Sequence, residues 1–298
     1  MMTGPLAPGR LFCFGLGYSA ERLARALMAD GWSVAGTCRE SARQEALAAE
    51  GIEAILFAGD EPMTDAAAAL AGATHLLSSV PPSAECDPVL RHHGADIGAH
   101  SALRWAGYLS TTGVYGDTGG DWVDETSLRN PTSARSRERA AAEDGWLALA
   151  SDQGVPVHVF RLAGIYGPGR SVLDQVRAGR ARRIEKPGHL FSRIHVDDIA
   201  TVLMASMVRP RAGAVYNVCD DEPAAAPDVT LFACELLGAD PPPTVPFEAV
   251  AGEMSDMALS FWRDNRRVSN RLIKEELGAE LAYPDYRAGL QAVLAAGG

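Results

Sequence analysis

The first residues that suggest chemistry are Gly15-Leu16-Gly17-Tyr18-Ser19-Ala20, which join an apolar run to a helix-patterned stretch beginning Glu21-Arg22-Leu23. Gly15 permits a tight turn, Gly17 leaves room for a phosphate against the backbone, and small Ala20 lets a helix close on a strand. Free N–H groups at the helix start then face the phosphates, so the turn predicts a dinucleotide site that includes Tyr18 and Ser19. The alternative is a close-packed structural turn. The second apolar run ends in Gly36-Thr37-Cys38-Arg39, with no acid from 33 to 38. The carboxylate that would hold ribose hydroxyls is missing and Arg39 can clamp a 2′-phosphate, so NADP is expected over NAD. The missing acid also argues against an adenosylmethionine-dependent methyltransferase. Topology places Asp60 either on the adenine amino group or at a helix cap. It places Ser79-Val80-Pro81 either along the cofactor or in a plain turn.

These residues need a scaffold. Short apolar runs at 11–14, 33–37, 54–57, 75–80, 108–111, 155–162 and 215–218 alternate with helix-patterned stretches near 18–30, 40–50, 64–71, 86–101 and 133–151. Near-continuous apolar strands alternating with helices predict an α/β fold, a doubly wound parallel sheet covered on both faces. The rhythm breaks after Gly167-Pro168-Gly169. Residues 170–192 are arginine-rich and aperiodic, a helix is expected from about 197 to 208, and after Pro223, Pro227 and Pro241-Pro242-Pro243 two more are expected near 268–277 and 284–296. The predicted division is a nucleotide-binding domain of 8–169 plus 193–221 and a smaller C-terminal substrate lobe of 170–192 plus 222–298.

The chain resembles the extended and atypical short-chain dehydrogenase/reductases of the NAD-dependent epimerase/dehydratase type, with a Rossmann fold. The resemblance spans most of the chain. It rests on the glycine turn, Ser110-Thr111-Thr112-Gly113-Val114-Tyr115-Gly116, Asp124-Glu125, Pro131-Thr132-Ser133, Arg161-Leu162-Ala163-Gly164-Ile165-Tyr166-Gly167-Pro168-Gly169-Arg170, Ile194-His195-Val196-Asp197-Asp198 and Tyr216-Asn217-Val218. It implies that Thr111 orients a substrate and that Ile165 lines the cofactor. The family's Tyr-x-x-x-Lys couple falls on Arg135 and Arg139, and none of the seven tyrosines is followed four residues later by lysine. Arginine stays protonated and cannot exchange the proton that tyrosine does, although Arg139 can still hold ribose hydroxyls. Tyr115, Tyr166 and Asp87 are the candidate replacements. Their alternatives are packed tyrosines and a helix cap.

Eight basic residues stand against Asp174 and Glu185 between 161 and 193, in a chain of net charge −11. Arg170 and Arg193, with Arg135, are the expected contacts to an anionic, sugar-like substrate. The alternative is a solvated arginine-rich face. His195 is expected to be structural beside a helix capped by Asp197, and Asp117, Asp121, Asp124 and Glu125 are expected to form a mobile loop.

So acidic a chain is not expected to bind nucleic acid, and it has no apolar run long enough to span a membrane. Met1-Met2-Thr3-Gly4-Pro5 lacks the pattern of a secretory leader. Five cysteines without a C-x-x-C pair suggest reduced thiols and a cytoplasmic setting. His92-His93 lacks the spaced partners of a metal site. The resemblance implies a homodimer built on the helices near 86–101 and 133–151. Two functions remain: an NAD(P)-dependent oxidoreductase or epimerase/dehydratase-like enzyme acting on a small molecule, and a catalytically silent NADP-binding sensor or scaffold.

Overall fold

The computed structural model describes residues 6–84 and 86–297; Met1 to Pro5 lie outside them. The first half alternates without exception: β1 (Arg10–Phe14), α1 (Tyr18–Ala29), β2 (Ser33–Cys38), α2 (Ser41–Ala49), β3 (Glu53–Leu56), α3 (Ala66–Leu70), β4 (His75–Ser78), α4 (Pro88–Ala99) and β5 (Trp105–Thr111). Then come β6 (Trp122–Val123), α5 (Ala134–Gln153), β7 (Val157–Leu162), β8 (Gly164–Tyr166), α6 (Val172–Arg177), β9 (Arg183–Glu185), β10 (Arg193–His195), α7 (Val196–Val208) and β11 (Ala214–Val218). The chain ends with α8 (Ala226–Leu237), β12 (Thr244–Pro246), α9 (Phe247–Val250), α10 (Asp256–Arg263), β13 (Arg267–Val268), α11 (Arg271–Glu275) and α12 (Tyr286–Ala295).

Seven strands form one parallel sheet in the order β11-β7-β5-β4-β1-β2-β3. Successive side chains of a strand face opposite ways. Leu11 and Cys13 therefore enter the core with Leu23, Leu27, Ile199 and Leu203 of α1 and α7. Phe12 and Phe14 enter the opposite core with Val89, Ile97 and Trp146 of α4 and α5. Burial on both faces explains why the strands read as continuous apolar runs. The strand order reverses between β1 and β4, which opens a crevice at the carboxyl ends of those strands. No helix of the described residues is long and apolar enough to cross a membrane.

The second half holds more regular structure than its sequence suggests. The supposedly aperiodic 170–192 contains α6, whose start is fixed by a capping box between Ser171 and Asp174. Pro227 opens α8 rather than breaking the chain, because a first-turn residue needs no N–H. α10 was missed as well, and the stretch near 268–277 is β13 followed by the short α11. The cap of α7 is His195, not Asp197: its Nδ1 accepts the Asp197 N–H at 3.2 Å, while Asp197 pairs with Arg22. Three two-stranded parallel pieces, β8 with β10, β9 with β12 and β6 with β13, tie the late segments to the earlier chain.

A separate apolar cluster joins Tyr166 and Leu173 to Val229 and Ala233 of α8 and to Tyr286, Leu290 and Val293 of α12. A Cβ on Gly289 would lie 1.9 Å from the Tyr166 hydroxyl. Gly289→Ala should therefore destabilise the protein by about 1–2 kcal/mol, because overpacking outweighs the gain in helix propensity. A lowered thermal midpoint checks this, and an unchanged or raised one contradicts it.

Candidate functional site

The glycine turn sits at the crevice. Gly15 has φ +82°, its N–H donates to Thr37 Oγ1 at 2.8 Å, and its carbonyl accepts from Ser79 Oγ at 2.6 Å. A Cβ there would press within 3.0 Å of Ser79 Oγ. At Gly17 a Cβ would meet nothing within 4 Å, so the space over the turn is open. Gly17 caps α1 without a side-chain acceptor, so the first N–H groups of the helix are left for another partner. Ala20 is fully buried under the turn. Open space beside uncapped N–H groups fits a pyrophosphate.

Two cavities flank this turn and share Gly17, Ser79 and Pro81. One, of about 800 Å³, is lined by Arg39, Asp60 and Val80. Arg43 and Arg91 line it too, and the sequence reading had not singled them out. Arg43 is four residues beyond Arg39, a spacing that could have drawn attention to it, and it pairs with Glu21. Asp60 is not a helix cap: α3 is capped by Asp65.

The other cavity, of about 670 Å³, holds Tyr18, Ser19, Thr111, Arg135, Arg139, Ile165, Tyr166, Arg170 and Arg193. Thr111 ends β5, and its Oγ1 accepts the Gly113 N–H at 3.1 Å. Arg139 is buried, donating to Leu109 O at 2.8 Å and to the Tyr108 hydroxyl at 3.2 Å. Arg135, one turn earlier on α5, is exposed. Arg170 stacks over the Tyr18 ring, 5.7 Å from its centroid. Arg193 donates through Nη1 to the carbonyls of Phe191 and Ala224. Sequence reading missed Phe261, Trp262, Asp264 and Arg266, which reach the same cavity from α10 and its following loop. They lie far along the chain, in a segment with no recognisable motif. Asp264 accepts from Thr132 Oγ1 at 2.7 Å and from Arg266 at 3.2 Å.

The structure does not offer either candidate tyrosine's hydroxyl to this cavity. Tyr115 is only 1% exposed, does not line the cavity, and its hydroxyl donates to Asn217 Oδ1 at 2.7 Å and accepts from Arg161 at 2.9 Å. Burial pushes it up to about 12. Tyr166 lines the cavity, while its hydroxyl lies against Gly289 of α12 and donates to O of Asp285, the cap of that helix, at 3.4 Å. Burial, with Asp220 and Asp198 nearby, raises it far above the ordinary phenol range. Asp87 is a helix cap, accepting from Val89 and Leu90 N–H and from Trp146 Nε1.

The basic stretch is dispersed. Arg161 is buried against Glu143, Arg182 pairs with Glu253, Lys186 donates to Trp262 O, and only Arg170 and Arg193 of the set line the cavity. The acidic loop is pinned rather than free: Asp117 accepts the Asn265 N–H at 2.8 Å, and Glu125 accepts the Asn217 N–H at 2.7 Å. His93 accepts the Met63 N–H through Nε2, and His92 contacts Gly59 O.

A parallel sheet with an open glycine turn at its switch point defines a dinucleotide-fold protein. The pattern of the NAD dependent epimerase/dehydratase family matches residues 95–219. That match runs from α4 to the end of β11 and takes in strands β5, β7 and β11 of the parallel sheet. The chain is similar to a conserved protein of unknown function from Silicibacter pomeroyi DSS at 52% identity, covering 97% of this chain and 99% of that one, with a TM-score of 0.88. It is 29% identical to protein YeeZ of Escherichia coli (strain K12) over 282 residues, 91% of this chain and 95% of that one. The UDP-glucuronic acid 4-epimerase of Bacillus cereus, solved in complex with NAD, shares the fold at 15% identity, with coverages of 95% and 96% and a TM-score of 0.75.

Proposed function

We propose that this chain is an NADP-dependent oxidoreductase or epimerase/dehydratase-like enzyme acting on a small anionic substrate. One observation carries the reading: two cavities that share Gly17, Ser79 and Pro81 flank an open, uncapped helix start, and arginines line both. In it, residues 8–169 plus 193–221 hold the cofactor and 170–192 plus 222–298 form the substrate lobe. The glycine turn and Ser19 take the pyrophosphate, and Arg170, stacked on Tyr18 beside that turn, joins them. Arg39 takes a 2′-phosphate, with Arg43 one helical turn away. Arg139 faces the ribose on the nicotinamide side, Thr111 orients the substrate, and Arg135 and Arg193 hold its charge. The nicotinamide, when bound, gives or takes a hydride.

The test is titration with NADPH and NADH. NADPH should bind at least about tenfold more tightly, and Arg39→Ala should remove most of that preference while leaving NADH binding intact. Equal binding of the two dinucleotides by the unmodified protein would defeat the NADP assignment; binding of neither would defeat the cofactor reading.

A second reading, a silent NADP-binding sensor, is favoured by one observation: neither Tyr115 nor Tyr166 presents its hydroxyl to the cavity. NADPH binding with no oxidation across a broad carbonyl panel is its signature.

A further inference from the structure

Part of the wall of the Thr111 cavity is aromatic. Phe191, Phe261 and Trp262 all line it. Trp262 meets Phe191 edge-on at 5.0 Å and stacks on His189 and Phe247 at 5.6 and 5.3 Å, so its ring is held in a fixed plane. Phe261 is left 56% exposed at the rim, and Met257, one turn earlier on α10, 61%. A large aromatic side chain left in water beside a cavity has an unused face.

The charge on the same cavity is specific. Arg135 has no hydrogen-bond or ion-pair partner among the described residues. Arg266 spends Nη1 on Gly116 O and Asp264, and burial disfavours its charged form. A guanidinium short of partners in such a place gains most from a carboxylate it can grip in a plane. Asp264 stands beside it and would repel a doubly charged phosphate more strongly than a singly charged carboxylate. Among the described residues no Asn or Gln side chain lines the cavity, so the edge of a nucleobase finds no side-chain amide there.

We propose that the substrate pocket is built for a planar aryl carboxylate, its ring laid against Phe261 and Trp262 and its carboxylate held by Arg135 and Arg266, with Arg193 adding its charge to the same cavity. This rests on the proposed function for the site's location, since it deepens the substrate class of the same cavity.

The experiment is calorimetric titration of the full chain, with and without NADPH, using four probes: trans-cinnamate, cinnamamide, 3-cyclohexylpropanoate and UMP. Cinnamate should bind saturably, and loss of its charge or its flat ring should each weaken binding by roughly tenfold or more. Phe261→Ala and Arg135→Ala change exposed side chains, should fold normally, and should each weaken cinnamate about tenfold. Cyclohexylpropanoate binding as well as cinnamate, UMP binding more tightly than cinnamate, or no cinnamate binding at concentrations on the order of 10 mM would each overturn the inference. NADPH binding is read in the same titrations. Its failure with cinnamate binding retained counts against the cofactor reading alone, and the reverse result counts against the aryl carboxylate alone.

Discussion

Replacing Arg161 by Met should cost roughly 3–5 kcal/mol of folding stability, read as a large drop in the urea midpoint at unchanged slope. Glu143 is fully buried, and Arg161 is its main partner, donating through Nε and Nη2 at 2.8 to 3.2 Å. Ser110 Oγ adds a bond of 2.5 Å, and half-buried Arg129 adds one of 3.2 Å. Deleting the arginine leaves a carboxylate in the core without its main counter-charge. Deleting both charges, as Arg161→Met with Glu143→Leu, removes that orphan and should recover a large part of the loss. By contrast, removing exposed Arg25, which touches Glu21 and Glu50, should cost less than about 1 kcal/mol. A double variant as unstable as the single one would show that the pair is not what holds this region. The same network supports the site: Ser110 precedes Thr111 on β5, and Arg161 Nη1 fixes Tyr115 beneath it.

That network marks a boundary of what the sequence could reveal. The sheet and its glycine turn were legible because a strand buried on both faces and a turn approached by phosphate leave local signatures, in apolar runs and in Gly15, Gly17 and Ala20. Arg161 was read with its basic neighbours as part of a substrate cluster, because nothing local says that its partner is Glu143 on another element. Tyr115 and Tyr166 were candidates by position after a strand. Where a hydroxyl points depends on Asn217 and on α12, far away in the chain. No helix was expected around Pro227, because whether a proline starts or stops a helix depends on which helical turn it occupies. Trp262, Asp264 and Arg266 carry no motif, and only folding brings them to Thr111.

Asp220 should make this protein lose stability as pH rises from about 4 to 8. It is 2% exposed two residues past the end of β11, and among the described residues its carboxylate has no side-chain hydrogen-bond donor, only the backbone N–H groups of Arg193 and Glu222 nearby. Burial raises it to about 8, opposed by the Arg193 guanidinium and by the backbone N–H groups of Arg193 and Glu222, and reinforced by Asp221. The folded state thus holds a proton that the unfolded chain releases near its ordinary value of 3.8. The sign follows: this contribution is complete below that value and is lost as pH climbs through the folded value, at up to about 1.4 kcal/mol per pH unit. Asp220→Asn keeps the shape without the titration, so its urea midpoint should fall less steeply over this window and exceed that of the unmodified protein at pH 8. Parallel pH profiles for the two proteins would contradict this. Asp220 and Arg193 sit where β10 meets the segment after β11, with Asp220 N–H donating to Arg193 O at 2.7 Å. A carboxyl that stays neutral there leaves the charge of Arg193 free to act in the cavity it lines. An ionised one would draw on that charge, so anion binding should weaken over the same pH window in which the fold does.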